Sequence, residues 1–165
     1  MALQVKHVMR TAVTAVAPSE SLHVASRLMH SGDLRHLPVV KGNAVLGVLT
    51  HGDILRSSGR RALGRERGVD AAAALRGLRV QEAMSKPAVT IGPDASVNEA
   101  VELLLRHGVK CLPVLADGRL IGLFTERDLL RAIDWPRDEI WDRRASASSA
   151  LANPAPSQAR LEASP

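Results

Sequence analysis

Residues 122–131 read GLFTERDLLR, an apolar strand that ends in a threonine and leads into a helix with an aspartate in its first turn. Residues 47–56, which lie 75 positions earlier, read GVLTHGDILR. Gly, Thr, Asp, Leu and Arg occupy the same places in both copies, and aliphatic residues or Phe match in between. A strand-to-helix junction that occurs twice indicates an internal repeat, and the rest of the chain is interpreted around it.

The duplication extends beyond these ten residues. Residues 37–56 and 112–131 are identical at eight of twenty positions. Further upstream, Met9 aligns with Met84 and Pro18 with Pro93. The repeat therefore includes a whole folding unit, and not only one motif.

Each repeat has the pattern of five elements. A short β-rich run, residues 12–16 or 88–91, ends at a proline, and an amphipathic helix that stops at Gly32 or Gly108 follows it. Ser96 with Glu99 is expected to cap the second of these helices, and Ser21, which lacks an acidic partner, to cap the first more weakly. Two strands joined by a tight turn and a second helix complete the unit. The sequence predicts an α/β (α+β) fold of two β-α-β-β-α repeats. Neither unit is large enough to bury its own sheet, so we expect the two to pack on each other.

Composition excludes several classes of protein. Of 165 residues, 45% are hydrophobic but only 2% are aromatic, so the core is aliphatic and stacking platforms for single-stranded nucleic acid are scarce. Cys111 is the single cysteine, which excludes an intramolecular disulfide and a multi-thiolate metal site. The sequence has no apolar run of membrane-spanning length. We expect a cytoplasmic protein with no membrane partner.

The positive charge is concentrated between the repeats. Residues 56–79 contain seven arginines and two acidic residues, a net charge of +5 that equals the formal charge of the whole chain. These arginines are Arg56, Arg60, Arg61, Arg65, Arg67, Arg76 and Arg79. They could contact a phosphate backbone, although a solvated connector is the simpler interpretation, and nucleic acid is an unlikely partner.

These patterns divide the chain into four segments. Residues 1–56 and 80–135 are the two repeats. Residues 57–79 form a basic linker in which the alanine run that starts at Ala71 predicts a short helix. Residues 136–165 are rich in Ala, Ser and Pro and are expected to be a flexible tail.

The two copies of LPVV or LPVL followed by G-h-h-T-x-x-D (h, apolar) resemble a tandem pair of CBS domains, the Bateman module. The resemblance covers nearly all of the sequence outside the linker and the tail. It implies two repeats related by a pseudo-two-fold axis, with clefts between them that bind adenosine-containing ligands such as AMP, ADP, ATP or S-adenosylmethionine. It also implies further association into a homodimer that regulates an effector protein, here unknown.

An adenine nucleotide needs an apolar slot for the base, an acceptor for the ribose hydroxyls and donors for phosphate. Asp53 and Asp128 are the expected acceptors, and Thr50 and Thr125, at helix starts, are expected to help hold a phosphate. The remaining candidates are cations, wall residues, strand threonines and the two residues before the LPV strands: Arg35, Lys110, Arg127, Arg131, Leu34, Val109, Pro38, Pro113, Thr14, Thr90, His36 and Cys111.

A purely structural interpretation of the same motif stays open. Thr-x-x-Asp is also a helix capping box, so both aspartates could serve only to start a helix. The second copy has the fuller family pattern, T-x-R-D, because Arg127 stands where the first copy has Gly52. Occupancy of the first cleft is therefore the less secure expectation.

We expect a stand-alone regulatory sensor and not an enzyme. The sequence has no HExxH metal motif, no Walker loop, no GxGxxG fingerprint and no GxSxG elbow. We expect no metal and no obligatory cofactor, with the adenosine-containing ligand acting as regulator. Two alternatives remain, namely a ligand-free dimerisation scaffold and a nucleic-acid-associated protein that uses the linker arginines.

Overall fold

The computed structural model describes residues 3–63 and 71–133, and both repeats lie within one compact unit. Its elements in chain order are α1 (Val5–Val8), α2 (Leu22–Ser31), β1 (His36–Lys41), β2 (Ala44–Thr50), α3 (His51–Leu63), α4 (Ala71–Arg76), α5 (Val80–Ala83), α6 (Val97–His107), β3 (Cys111–Ala116), β4 (Arg119–Thr125) and α7 (Glu126–Ile133).

Each repeat contains one antiparallel hairpin, β1–β2 or β3–β4. The registers match, with a bulge after Val39 in the first hairpin and after Val114 in the second. The predicted opening strand of each repeat is reduced to one bridging residue, Val16 or Ile91, which pairs in parallel with the hairpin. A proline follows two residues later in both copies, and it has no N–H with which to continue a ladder.

Helices α2 and α6 begin where the sequence predicts. Ser21 and Ser96 each accept a hydrogen bond from a backbone N–H of the first turn, at 3.2 and 3.1 Å. Gly108 ends α6 in the left-handed conformation, with φ of 61°. Gly32 also ends its helix, but the left-handed residue there is Asp33, with φ of 48°.

The short helices α1 and α5 are exchanged between the repeats. Val5 N–H donates to the Ala95 carbonyl at 2.9 Å, and Val5 lies in the core of the second repeat. Val80 N–H donates to the Glu20 carbonyl at 2.9 Å, and Val80 lies in the core of the first. Both valines are fully buried, and burial of such a side chain contributes about 1.5–3 kcal/mol. The exchange therefore stabilises the association of the two repeats.

The two hairpins meet at the centre of the molecule. Val48 of β2 and Leu123 of β4 occupy equivalent positions, and they form a small buried cluster with Cys111. Val13 and Ala88 pack against this cluster from the two crossing segments. Each isolated bridge also has a counterpart 75 residues along the chain, such as Arg10 with Leu123 and Ser85 with Val48. This repetition is the pseudo-two-fold relationship of the copies.

The linker contributes one helix to the first repeat. Helix α4, in the predicted alanine run, packs on α2 and α3, and Leu75 is buried among their side chains. Helix α3 runs to Leu63, beyond the Arg56 that was expected to end the first repeat. The side chains of Arg60, Arg61, Arg65 and Arg67 lie outside the described residues, as do residues 134–165 with the predicted tail.

Candidate ligand-binding site

The Thr125–Asp128 pair stands where β4 passes into α7. Asp128 Oδ2 accepts hydrogen bonds from the backbone N–H of Thr125 at 3.0 Å and from the Thr125 hydroxyl at 2.6 Å. Both side chains are buried, and Asp128 is only 2% exposed. The predicted capping role is therefore present in the second copy.

The other oxygen of Asp128 faces arginine. Arg10 Nε donates to Asp128 Oδ1 at 3.0 Å, and Arg131 Nη1 lies 4.0 Å from the same oxygen. Arg10 belongs to the segment that crosses over from the first repeat, where its backbone pairs with that of Leu123 in both directions. A buried carboxylate therefore connects the second repeat to a residue of the first.

The Thr50–Asp53 pair repeats this geometry at the junction of β2 and α3. Asp53 Oδ2 accepts from Thr50 N–H at 2.8 Å and from the Thr50 hydroxyl at 2.7 Å, and the Asp53 N–H donates to Thr50 Oγ1 at 3.2 Å. The remaining oxygen, Oδ1, binds the guanidinium of Arg56 on the same helix. Arg56 is 68% exposed, so Asp53 has a solvated partner where Asp128 has a half-buried one.

His36 lies among charged groups of both repeats. Burial lowers the pKa of His36 from its usual 6.5, and the positive charges of Lys110, Arg35 and Arg10 act in the same direction, whereas the Glu126 carboxylate opposes them. Lys110 and Glu126 belong to the second repeat, and the Glu126 N–H donates to the Lys110 carbonyl at 3.3 Å. The charges that act on His36 therefore come from both repeats.

Replacing His36 with glutamine should change how stability depends on pH. Because the folded state lowers the pKa of His36, the unfolded chain takes up a proton near pH 6.5 that the folded chain resists. The wild type therefore loses stability as the pH falls through this value, and the variant lacks that loss. Urea unfolding at pH 7 and pH 5 should show the stability of His36→Gln improving relative to wild type at pH 5. An unchanged difference would contradict the burial of His36.

The other predicted residues fall into three groups. Thr14, Arg35, Lys110, Arg127 and Arg131 are exposed, whereas Thr90, Leu34 and Val109 are half-buried. Pro38, Pro113 and Cys111 are buried. Burial raises the pKa of the Cys111 thiol to about 12, so this thiol is protonated at neutral pH. Arg127 Nη1 lies 3.9 Å from Asp33 Oδ2, an exposed contact between the repeats that contributes little to stability.

A hollow of about 490 Å³ lies where the second repeat's crossing segment meets the first repeat. It is lined by Pro18, Leu46, Gln81, Met84, Lys86 and Pro87. Among the described lining residues, Lys86 alone is charged, and none of them is a carboxylate or a predicted site residue. These residues therefore do not offer the acceptor that the Thr–Asp pairs offer to ribose hydroxyls.

Arg10 and Glu126 are not among the site residues predicted from the sequence. Arg10 is remote from Asp128 in sequence and reaches it only because α1 and the segment after it cross to the other repeat. The repeat alignment does contain a signal, since the pairing of Met9 with Met84 places Arg10 opposite Ser85. At this aligned position one copy has a long cationic side chain and the other has a short hydroxyl side chain, so the two copies differ there.

Within residues 3–63 and 71–133, no group of three or more His, Cys, Asp or Glu side chains is arranged to hold a metal ion. Of the helices in this part of the chain, none combines the length and the apolar character needed to cross a bilayer.

Comparison with known proteins agrees with this architecture. The chain is 31% identical to the CBS domain-containing protein YhcV of Bacillus subtilis over 150 residues, which cover 90% of this chain and 93% of YhcV. It is also 31% identical over 128 residues to a 33.4 kDa protein in the ribosomal RNA operon of Thermofilum pendens, covering 78% of this chain but only 43% of that one.

A solved structure extends the likeness to the fold. The CBS domain pair of protein MJ0100, in complex with 5′-methylthioadenosine and S-adenosyl-L-methionine, superposes with a TM-score of 0.65 over 81% of this chain and 98% of that chain. Its sequence identity of 20% makes this a similarity of fold alone. The CBS domain family model matches residues 5–60 and 80–134, the two repeats in tandem, and this chain belongs to the CBS domain family.

Proposed function

We propose that this chain is a regulatory sensor that binds an adenosine-containing ligand, namely AMP, ADP, ATP or S-adenosylmethionine, between its repeats. The observation that carries the proposal is the Thr–Asp pair with its buried carboxylate, which stands at a helix start in both copies. An ionised carboxylate accepts strong hydrogen bonds from the 2′ and 3′ hydroxyls of a ribose. The ligands in the MJ0100 complex belong to the same chemical class.

The surroundings of Asp128 suit the rest of such a ligand. The start of helix α7 is the positive end of its dipole, a position that favours an anion. An exposed cation stands at each helix start: the Lys110 carbonyl accepts from the Glu126 N–H of α7, and the Arg35 carbonyl accepts from the His51 N–H of α3. Val109 and Leu34 are half-buried next to the hairpins and offer apolar surface for the base.

The proposed mechanism is a shift between arrangements of the two repeats. The contacts Arg10–Asp128 and Arg127–Asp33 both join one repeat to the other. A ligand that touches both repeats stabilises whichever mutual orientation it binds more tightly, and its differential affinity sets the size of the shift. Occupancy is then reported to an effector protein or through a homodimer. The exposed Leu55, Leu105 and Leu130 are available for that contact.

The proposal is tested by calorimetric titration of the full chain with AMP, ADP, ATP and S-adenosylmethionine. At least one of them should bind, and Asp128→Asn should weaken its binding about tenfold through loss of charge-assisted hydrogen bonds. Asp117→Asn is the matched control, because Asp117 is an exposed turn residue with φ of 49°, a conformation that asparagine tolerates. This control should leave the affinity unchanged.

The same titrations, together with a test for retention of duplex DNA, distinguish the sensor from the scaffold and from the nucleic-acid-associated protein. If none of the four ligands gives heat or a thermal shift while the chain forms a stable dimer, it is a scaffold. If it instead retains duplex DNA, and neutralising Arg60, Arg61, Arg65 and Arg67 abolishes that retention, it is a nucleic-acid-associated protein. Either result would refute the sensor function.

A further inference from the structure

The two Thr–Asp pairs differ in the partner of their second carboxylate oxygen. Asp128 is bonded to Arg10, whose side chain is 35% exposed. The Arg10 backbone is fixed by two hydrogen bonds with Leu123, at 3.0 and 2.9 Å. Asp53 is bonded to Arg56 of its own helix, whose side chain is 68% exposed. Only the Asp128 cleft therefore has a cation that is held in place by the other repeat.

The pseudo-two-fold relationship shows which residue causes the difference. Ser85 takes the place of Arg10 in the other crossing segment, and its backbone pairs with Val48 through two bonds of 3.0 Å. The backbone geometry at the two clefts is thus the same. A serine side chain is too short to replace the guanidinium and carries no charge, so Ser85 gives Asp53 no counterpart of the Arg10 contact.

The cation on Asp128 occupies the oxygen that a ribose would need. Oδ2 already accepts two hydrogen bonds from Thr125, which leaves Oδ1 for a ligand. Because Asp128 is only 2% exposed, the hydroxyls of a ligand reach Oδ1 by displacing the Arg10 guanidinium that covers it. A displaced guanidinium remains beside the ligand because its backbone does not move. Arg35 and Lys110, whose positive charges act on His36 together with that of Arg10, add cationic character to this part of the molecule. An anionic group of the ligand is the partner that a displaced guanidinium there binds most strongly.

We propose that Arg10 exchanges partners when ligand binds, releasing Asp128 to the ribose and taking the ligand's phosphate, so that the Asp128 cleft selects phosphorylated adenosine over uncharged or cationic adenosine compounds. This inference rests on the proposed function and adds a ligand class to one of the two clefts. The Asp53 cleft, with Ser85 in the equivalent position, lacks this selection.

The test compares AMP with adenosine in the wild type and in Arg10→Ser. In wild type AMP should bind at least about tenfold more tightly than adenosine, the expected value of one charge-assisted contact. In Arg10→Ser the affinity for AMP should fall about tenfold, whereas that for adenosine should stay the same or rise, because nothing has to be displaced. Arg10→Lys should restore part of the preference.

The matched control is Arg119→Ser, which removes the same charge from an exposed position at the start of β4. It should leave the ratio of the two affinities unchanged, and thermal unfolding should confirm that each variant is folded. If Arg10→Ser leaves both affinities unchanged, or weakens both equally, the partner exchange is refuted while the sensor function stands. If wild type binds neither AMP, ADP, ATP nor S-adenosylmethionine, the sensor function fails and this inference fails with it.

Discussion

Replacing Asp128 with alanine should lower the free energy of unfolding by about 3 kcal/mol. Three interactions are lost at once: the hydrogen bond that caps α7, the bond to the Thr125 hydroxyl and the ion pair with Arg10. Breaking a buried ion pair costs about 3–5 kcal/mol, and loss of a cap costs about 0.5–2 kcal/mol. The lower end applies because Arg10 is partly exposed and water can solvate it. Urea unfolding measures the change.

Asp53→Ala is the matched control. It removes the same capping bonds from α3, but the partner that it leaves behind is the well-solvated Arg56. We expect a loss of about 1 kcal/mol, the usual cost of a cap. In the background of Arg10→Ser, the cost of Asp128→Ala should fall toward this smaller value. Equal costs for Asp53→Ala and Asp128→Ala in the wild type would contradict the Arg10–Asp128 contact.

This geometry changes what the Asp128 substitution says about ligand binding. From sequence, the capping and ligand roles are alternatives, and a variant should lose either stability or affinity. In the structure one carboxylate oxygen caps the helix while the other binds Arg10 of the crossing segment, so the two roles are compatible. A ligand role would then be shown by loss of ligand-induced stabilisation, measured on a variant that is still folded.

The sequence predicts the elements that depend on local chemistry. The hairpins, the Ser21 and Ser96 caps and the Thr–Asp boxes all follow from side chains a few residues apart, and the structure contains them. The duplication also indicates the pseudo-symmetry. These features can be predicted without knowledge of the tertiary contacts, because helix capping and turn formation depend on residues that lie a few positions apart in the chain.

The exchange of α1 and α5 could not be predicted in this way. Val5 and Val80 are equivalent residues in similar repeats, so each could pack in its own repeat or in the other with the same hydrophobic pattern. The choice depends on distances in the folded state. Arg10 was missed for the same reason, since its partner is identified only once the crossing is known.

Gly47 and Gly122 lie within strands, a position that is typical of a close approach by another group. In the structure the approaching groups are the crossing segments. A Cβ on Gly122 would lie 3.0 Å from the Arg10 carbonyl oxygen and 2.5 Å from Met9 Sδ, and one on Gly47 would meet Ser85 and Met84.

Replacing Gly47 with alanine should therefore destabilise the fold by about 3 kcal/mol, the upper part of the range for overpacking. The added Cβ would overlap the carbonyl oxygen of Ser85, and it would lie 3.1 Å from Met84 Sδ. The oxygen cannot move without breaking the two hydrogen bonds between Ser85 and Val48. Urea unfolding would measure the loss, and ligand binding at the neighbouring Thr50–Asp53 junction should weaken with it.

Substitutions at two other glycines serve as comparisons for this prediction. Gly122→Ala should cost less, because its closest contact is the flexible end of Met9, which can turn away. Gly92→Ala has nothing within 4 Å of the added Cβ and should be neutral or slightly stabilising, since alanine reduces the entropy of the unfolded chain. The order Gly47, Gly122, Gly92 follows from how rigid the opposing atom is. If Gly47→Ala were as stable as Gly92→Ala, the segment that contains Ser85 would not cross β2, and the cleft geometry built on that crossing would be wrong.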